Sequence, residues 1–339
     1  MSLLRIAVIG AGAWGTALAD LLAERGHEVT LWVYESDLCA RMASSRENDI
    51  YLPRARLNGG LRFTSDLAQA ASAGQDLLLS VMPSHVVRAV WRRMAESLHP
   101  DAIIVSATKG IEEKTLLLPT QIIAECMREG GAGDRPLAAL SGPTFAQEAA
   151  DRKPTAVAAA SEDEEGPACV QAAFAGTCVR VYTAPDPIGT QLGGALKNVV
   201  ALAAGIADGL ELGYNARAAL IVRGLAEMAR LGTAMGGHPE TFAGLAGLGD
   251  LVLTCTGDLS RNRTVGMRLG KGEKLEGILA SMTGVAEGVH TAPAAAGLAR
   301  RHGAELPICA QVHAVLFEGK DPREAVKELM ARPLKAERV

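Results

Sequence analysis

The side chains best placed to do chemistry are few. Lys197 is the first, set alone in TQLGGALKNVVALAAGIADG (190–209), a glycine- and alanine-rich helix candidate. At about 100° per residue, Gly193, Lys197, Ala201, Ala204 and Asp208 fall on one stripe. Small residues there admit another backbone or a flat ligand, so the ammonium stands against something that approaches closely. A core-edge lysine that snorkels to water fits the same pattern. The second group is SRNR (260–263). Ser260 reads as an N-cap with Arg261, Asn262 and Arg263 in the first helical turn. Cations oppose the helix dipole at that end, so two arginines there are either solvated or the complement of a bound anion.

A third group is GAGAWG (10–15). It matches GxGxxG, follows a strand pattern (LRIAVI) and opens a helix pattern (TALADLLAERG). Gly10 permits the tight turn, Gly12 lets a pyrophosphate approach the backbone, and Gly15 lets helix and strand pack closely. Glu35 lies 20 residues after Gly15, at the end of the second strand pattern (LWVYE), where a carboxylate accepts from a ribose 2′-OH and repels a 2′-phosphate. Beside it, Tyr34 offers a ring to the adenine or a hydroxyl to the ribose. No arginine adjoins Glu35, although Arg41 and Arg46 follow; NAD is favoured over NADP.

These groups need a scaffold that brings them together. Short apolar runs, LRIAVI, EVTLW, DLLLSV, AIIVSA, PLAAL and CVRVY, alternate with helix-length stretches. That is the pattern of a parallel sheet covered on both faces. Ligands of such sheets sit beyond the carboxyl ends of the strands, where MPSH (82–85), ATKG (107–110) and SGPTFA (141–146) offer main-chain N–H groups. Lys109 is the cation among them. Pro83 and Pro143 can equally end strands, and His85 can cap a helix. From about residue 189 the pattern turns helical, clearest in NARAALIVRGLAEMARLGTAMG (215–236), with Asn215 as N-cap and Gly232 or Gly236 as stop. The glycine-rich stretch 243–266 around Asp250 interrupts it. The expected fold is a Rossmann-type α/β domain with a doubly wound, mostly parallel sheet (1–188), followed by an all-α domain (189–339).

A net charge of −4 leaves no global field for nucleic acid or an anionic membrane. Six cysteines without a CxxC or Cys/His cluster argue against zinc and against a disulfide framework, and no metal is expected. MSLLRIAVIGAG runs directly into a strand pattern without a secretion signal, and no segment has about 18 uninterrupted apolar residues. The expectation is a cytoplasmic protein without a membrane span. The acidic run SEDEEG (161–166) reads as a solvated loop and helix start.

GAGAWGTALA, MPSH, ATKG, SGPTFA, QLGGALKN, GLGDLVLTC and SRNR occur in this order across nearly the whole chain. Together they resemble the NAD(P)-dependent sn-glycerol-3-phosphate dehydrogenases. The resemblance implies reversible hydride transfer between NAD(P)H and dihydroxyacetone phosphate, giving sn-glycerol 3-phosphate for glycerophospholipid synthesis in a cytoplasmic homodimer. By position it makes Lys197 the proton donor and acceptor. It also implies substrate contacts at Lys109, Gly142, Thr144, Asp250, Ser260, Arg261 and Asn262. Cofactor contacts fall on Ala13, Trp14, Tyr34, Lys109, Ala146, Arg261, Val285 and Glu287. Asn198 and Thr254 are candidates to orient the lysine or the carbonyl. Two features depart from the pattern: Ala13 stands where bacterial members often carry serine, and the stretch WVYE replaces the WGR type that tolerates NADP. Two other readings are a β-hydroxyacid dehydrogenase, which would prefer a substrate carboxylate, and a nicotinamide-binding redox sensor, which would not need Lys197.

Overall fold

The computed structural model describes residues 3–334 and 336. Ten strands occur among them: β1 (Arg5–Ile9), β2 (Glu28–Trp32), β3 (Glu47–Asn48), β4 (Leu52–Arg56), β5 (Arg62–Thr64), β6 (Leu77–Ser80), β7 (Ile103–Ser106), β8 (Leu137–Ser141), β9 (Thr155–Ala160) and β10 (Val179–Ala184). Eight form one sheet in the order β10-β9-β8-β7-β6-β1-β2-β5, while β3 and β4 make a separate hairpin. Six strands from β5 to β8 run parallel; β9 pairs antiparallel with β8, and β10 runs parallel to β9. Chain order reverses at β1, which opens a crevice above its carboxyl end.

All six apolar runs are strands. The additional β9 has the sequence TAVAAA, whose alanines carry little strand preference. Its placement comes from pairing with β8 and β10. Successive side chains of β1 enter opposite cores: Ile6 and Val8 pack with Leu18, Leu21 and Phe174, whereas Ala7 and Ile9 pack with Trp91, Met94 and Ile122. Burial on both faces explains why the strand reads as a continuous apolar run.

After β10 the chain is helical. The helix Pro187–Gly209 is buried along nearly its whole length and forms the axis of a second core with Met228, Leu231, Phe242, Val265 and Leu298. Its cap lies outside the stretch singled out from sequence: Asp186 accepts from the Gly189 N–H at 2.8 Å. The following helix spans Gly213–Ala234, so Asn215 is not its N-cap. Gly232 lies inside that helix against the Phe242 ring, and the stop is Gly236 at φ 93°. Asp163 turns SEDEEG into a helix start by accepting from the N–H groups of Glu165 and Gly166. No helix among the described residues is long and apolar enough to cross a membrane.

Much of the small-residue surface of the central helix receives backbone. A Cβ on Gly193 would overlap the Ala246 carbonyl, and one on Gly205 the Arg263 carbonyl. From the other side, Gly266 of helix Arg261–Gly270 meets the Leu202 carbonyl in the same way. Of the two occupants such a surface admits, another backbone or a flat ligand, the backbone is the one found at these glycines, which fix how closely the neighbouring segments pack. Gly266→Ala should therefore lower stability by about 1–3 kcal/mol in urea denaturation, as overpacking does. Gly277→Ala, on an open helix surface with nothing within 4 Å, should instead raise it by roughly 0.5–1 kcal/mol.

Candidate active site

The glycine turn has the form a dinucleotide requires. Gly10 sits at φ 118°, where a Cβ would strike the Val81 carbonyl, and Gly15 packs directly on the Gly10 carbonyl. Gly12 is the N-cap of helix Ala13–Glu24; it is exposed, and a Cβ there would meet nothing within 4 Å. No side chain caps the helix, so its first-turn donors are free for an anion. Ala13 and Trp14 lie in that turn, half-buried. The residues present thus fit a pyrophosphate.

Glu35 caps helix Ser36–Ser45 at the edge of the crevice, and Tyr34 beside it is 72% exposed, with its ring 6.0 Å edge-on from Trp32. Arg41 is tied to Asp37 at 2.8 Å and Asp49 at 3.1 Å. Arg46 donates to the Leu61 carbonyl at 2.6 Å and covers the Phe63 ring. Both arginines that could have met a 2′-phosphate are therefore engaged elsewhere. Sequence reading missed Tyr51, whose hydroxyl donates to Glu35 at 2.8 Å.

Beyond β7 and β8 the chain brings two lysines to one carboxylate. Lys109 donates to Asp250 Oδ2 at 2.7 Å, to the Gly142 carbonyl at 2.8 Å and to Thr144 Oγ1 at 2.9 Å, so all three ammonium hydrogens are engaged. Gly142 holds φ 147°, where a Cβ would press on the β9 backbone. Lys197 donates to Asp250 Oδ1 and to Thr254 Oγ1, the latter at 2.9 Å, and Thr254 passes its own hydrogen to the Asp250 carbonyl at 2.7 Å. The third ammonium hydrogen of Lys197 has no acceptor among the described residues.

Local structure explains how Asp250 reaches that point. Residues Leu245–Gly249 form a π-helical turn against Gly193, one turn before Lys197, and Asp250 begins the helix Asp250–Thr256 immediately after it. Asp250 is fully buried and Lys197 is 5% exposed. Burial pushes the Lys197 amine down to about 7; the Asp250 charge opposes this and the Lys109 charge adds to it. A snorkelling surface lysine is thereby ruled out.

The SRNR segment divides in two. Ser260 is the N-cap, buried, with its hydroxyl accepting from the Arg263 N–H at 3.2 Å. Arg263 pairs with Asp208 at 2.7 Å and Asp258 at 2.9 Å, so its part in an anion site is corrected to a structural tie. Arg261 has no hydrogen-bond or ion-pair partner among the described residues. Its side chain reaches solvent yet lies against Gly284, and desolvation pulls its guanidinium below the ordinary arginine value, with the Glu287 charge opposing. A solvent-reachable, unpaired guanidinium walled by protein suits an incoming anion.

Asn262 is buried and serves as a brace, donating to Asn198 Oδ1 and accepting from the Gly288 N–H, both at 2.9 Å. Asn198 donates in turn to the Gly194 carbonyl at 3.2 Å. Both oxygens of Glu287 are held by Ser84, from its backbone N–H at 3.2 Å and its hydroxyl at 2.6 Å, and burial pushes the carboxyl up. Ser84 belongs to MPSH, where sequence reading had singled out its neighbour. The His85 ring caps nothing; it stacks 4.8 Å from that of His290. Ala146 opens helix Ala146–Ala150, and half-buried Val285 precedes Glu287 by two residues. No group of three or more potential metal ligands occurs among the described residues.

Two family models match the chain: the NAD-dependent glycerol-3-phosphate dehydrogenase N-terminus over residues 5–166 and the corresponding C-terminus over residues 186–327. The chain belongs to the NAD-dependent glycerol-3-phosphate dehydrogenase family. It is 56% identical over 334 residues to the glycerol-3-phosphate dehydrogenase [NAD(P)+] of Syntrophotalea carbinolica, covering 98% of this chain and 99% of that one. The enzyme of the same name from Koribacter versatilis is 56% identical over 331 residues, 97% of each chain. The crystal structure of glycerol-3-phosphate dehydrogenase from Coxiella burnetii superposes with a TM-score of 0.92 at 41% identity, covering 97% of this chain and 99% of that one. Neither a β-hydroxyacid dehydrogenase nor a redox sensor gains support from these comparisons.

The shared carboxylate yields a signed expectation. Asp250 raises the Lys197 pKa, so Asp250→Asn should drop it below about 7. With Lys197 as the acid, the role proposed below, carbonyl reduction needs the protonated amine, so the basic limb of its rate–pH profile should move to lower pH by roughly one pH unit or more. Initial rates between pH 5 and 9 check this.

Proposed function

We propose that this dehydrogenase reduces dihydroxyacetone phosphate to sn-glycerol 3-phosphate with Lys197 as the acid. The observation that carries the assignment is a buried lysine, 5% exposed, held by Asp250 and Thr254 with one hydrogen to give. A bound nicotinamide dinucleotide supplies the hydride. As the carbonyl oxygen gains charge, the Lys197 ammonium stabilises it and hands over its proton, and the reverse reaction uses the neutral amine as base. An amine near pH 7 serves both directions. Arg261, unpaired at the mouth of the helix N-terminus, holds the substrate phosphate. Lys109 keeps Asp250 in place and brings positive charge to the substrate, with Gly142 and Thr144 fixing Lys109 in turn.

In this reading the glycine turn, Ala13, Trp14, Tyr34, Glu35 and Ala146 line the dinucleotide site, and Glu35 makes NAD the preferred cofactor. Ser260 and Asn262 shape the phosphate site by positioning Arg261, as Val285 and Glu287 do from the opposite wall. The nucleotide and helical domains divide at 188/189, close to where helix Pro187–Gly209 begins. We further propose a cytoplasmic homodimer that supplies glycerophospholipid synthesis. Exposed Leu212, Tyr214 and Val222, at 39%, 80% and 53%, at the N-cap, in the first turn and near the middle of helix Gly213–Ala234, support self-association.

Steady-state kinetics with NADH and dihydroxyacetone phosphate test the roles. Lys197→Met should lower kcat by about 10²–10⁴ while NADH affinity holds within roughly twofold. Arg261→Gln should raise KM for dihydroxyacetone phosphate by about 10–100-fold, as expected for loss of a charge-assisted phosphate contact. A Lys197→Met enzyme with near-native kcat would remove the assignment.

A further inference from the structure

A segment that none of the motifs contains ties the two ends of the dinucleotide site together. Residues 46–51 fold beneath the glycine turn, starting from Arg46 in the left-handed region at φ 57°. Asn48 is completely buried, and its amide is fully used. Its Nδ2 donates to the Ala11 carbonyl and to Thr16 Oγ1, each at 2.8 Å, and its Oδ1 accepts from the Tyr51 N–H at 3.0 Å. The half-buried Tyr51 then donates its hydroxyl to Glu35 Oε1 at 2.8 Å. A continuous chain of hydrogen bonds therefore runs from the carbonyl between Gly10 and Gly12 to the carboxylate at the end of the crevice.

Each end of the chain has a consequence. The peptide joining Ala11 and Gly12 is trans, so its C=O and N–H point in opposite directions. Drawing the Ala11 carbonyl toward Asn48 and Thr16 turns the Gly12 N–H away from them. At the other end, Tyr51 occupies one oxygen of Glu35 and restrains its rotamers, while Oε2 has no hydrogen-bond partner among the described residues. An acceptor held with one oxygen free suits a ribose 2′-OH and opposes a 2′-phosphate.

We propose that Tyr51 is a positioning residue for cofactor selectivity: anchored through Asn48, it holds Glu35 in the orientation that favours NADH over NADPH. This rests on the reading that Glu35 receives the ribose diol. The hydrogen bond to Glu35 raises the Tyr51 phenol, so its hydroxyl keeps the hydrogen it donates. Without the hydroxyl, Glu35 gains rotamer freedom that it must lose again on binding.

The test is equilibrium binding of NADH and of NADPH to the full chain, followed by quenching of protein fluorescence, for native protein, Tyr51→Phe, Glu35→Gln and the double variant. Tyr51→Phe keeps the ring and should weaken NADH binding by about 3–10-fold, with NADPH changed less than about twofold. In turnover, KM for NADH should rise while kcat at saturation is retained. On the Glu35→Gln background, Tyr51→Phe should add nothing. Equal loss for both cofactors, an unchanged ratio, or an effect that persists without Glu35 would overturn the proposal. If Glu35→Gln itself leaves the NADH to NADPH ratio unchanged, the ribose reading of Glu35 fails, separately from the part given to Tyr51.

Discussion

One buried carboxylate governs the site. Asp250, with no exposed surface, accepts from Lys109 through one oxygen and from Lys197 through the other. Two ammonium groups on a single carboxylate leave a net positive charge where water is excluded, an arrangement tolerable only if every partner is held in place. The holding is visible on each side. Thr254 accepts from Lys197, Gly142 and Thr144 complete Lys109, and the π-helical turn sets Asp250 at its height. The close contact of Gly193 with the Ala246 carbonyl serves the same end, since a wider spacing there would pull the carboxylate away from Lys197.

The cluster also joins the two halves of the chain. Lys109 follows β7 and Gly142 follows β8, both from the sheet, whereas Lys197 and Asp250 come from the helical half. Ser84 and Glu287 make a second bridge of the same kind. In the proposed reaction a cofactor on the sheet and the proton donor on the helices have to meet, and these hydrogen bonds tie the two halves together. Arg261 stands apart from both bridges, a cation without a hydrogen-bond or ion-pair partner among the described residues, in the first turn of a helix that Ser260 caps.

Much of this was legible in the sequence where the signal is local. GAGAWG, between a strand and a helix, announces a dinucleotide turn, because three glycines at that spacing answer three separate steric demands. Continuous apolar runs disclosed the parallel strands, and a lone lysine among small residues marked the central helix. What could not be read is what pairing decides. Strand β9 looks like any alanine-rich stretch until β8 and β10 flank it. Arg263 and Arg261 are chemically alike and two residues apart, yet Arg263 alone is tied, to Asp258 nearby and to Asp208, 55 positions away. The stripe on the central helix was readable as a place of close approach, but not which backbone approaches. Asn48 and Tyr51 carry no motif; their value arises when the chain folds under the glycine turn.

The pKa of Lys197 tests the account most directly. Lysine labelled with ¹³C at the ε position, with Lys197→Met to assign the resonance, allows the amine to be titrated by NMR in the native protein. A midpoint near 7 is expected, well below the ordinary lysine value near 10.4. A Lys197 resonance that stays protonated to pH 10 would contradict the claim that burial, opposed by one shared carboxylate, prepares this lysine to donate and accept a proton at neutral pH.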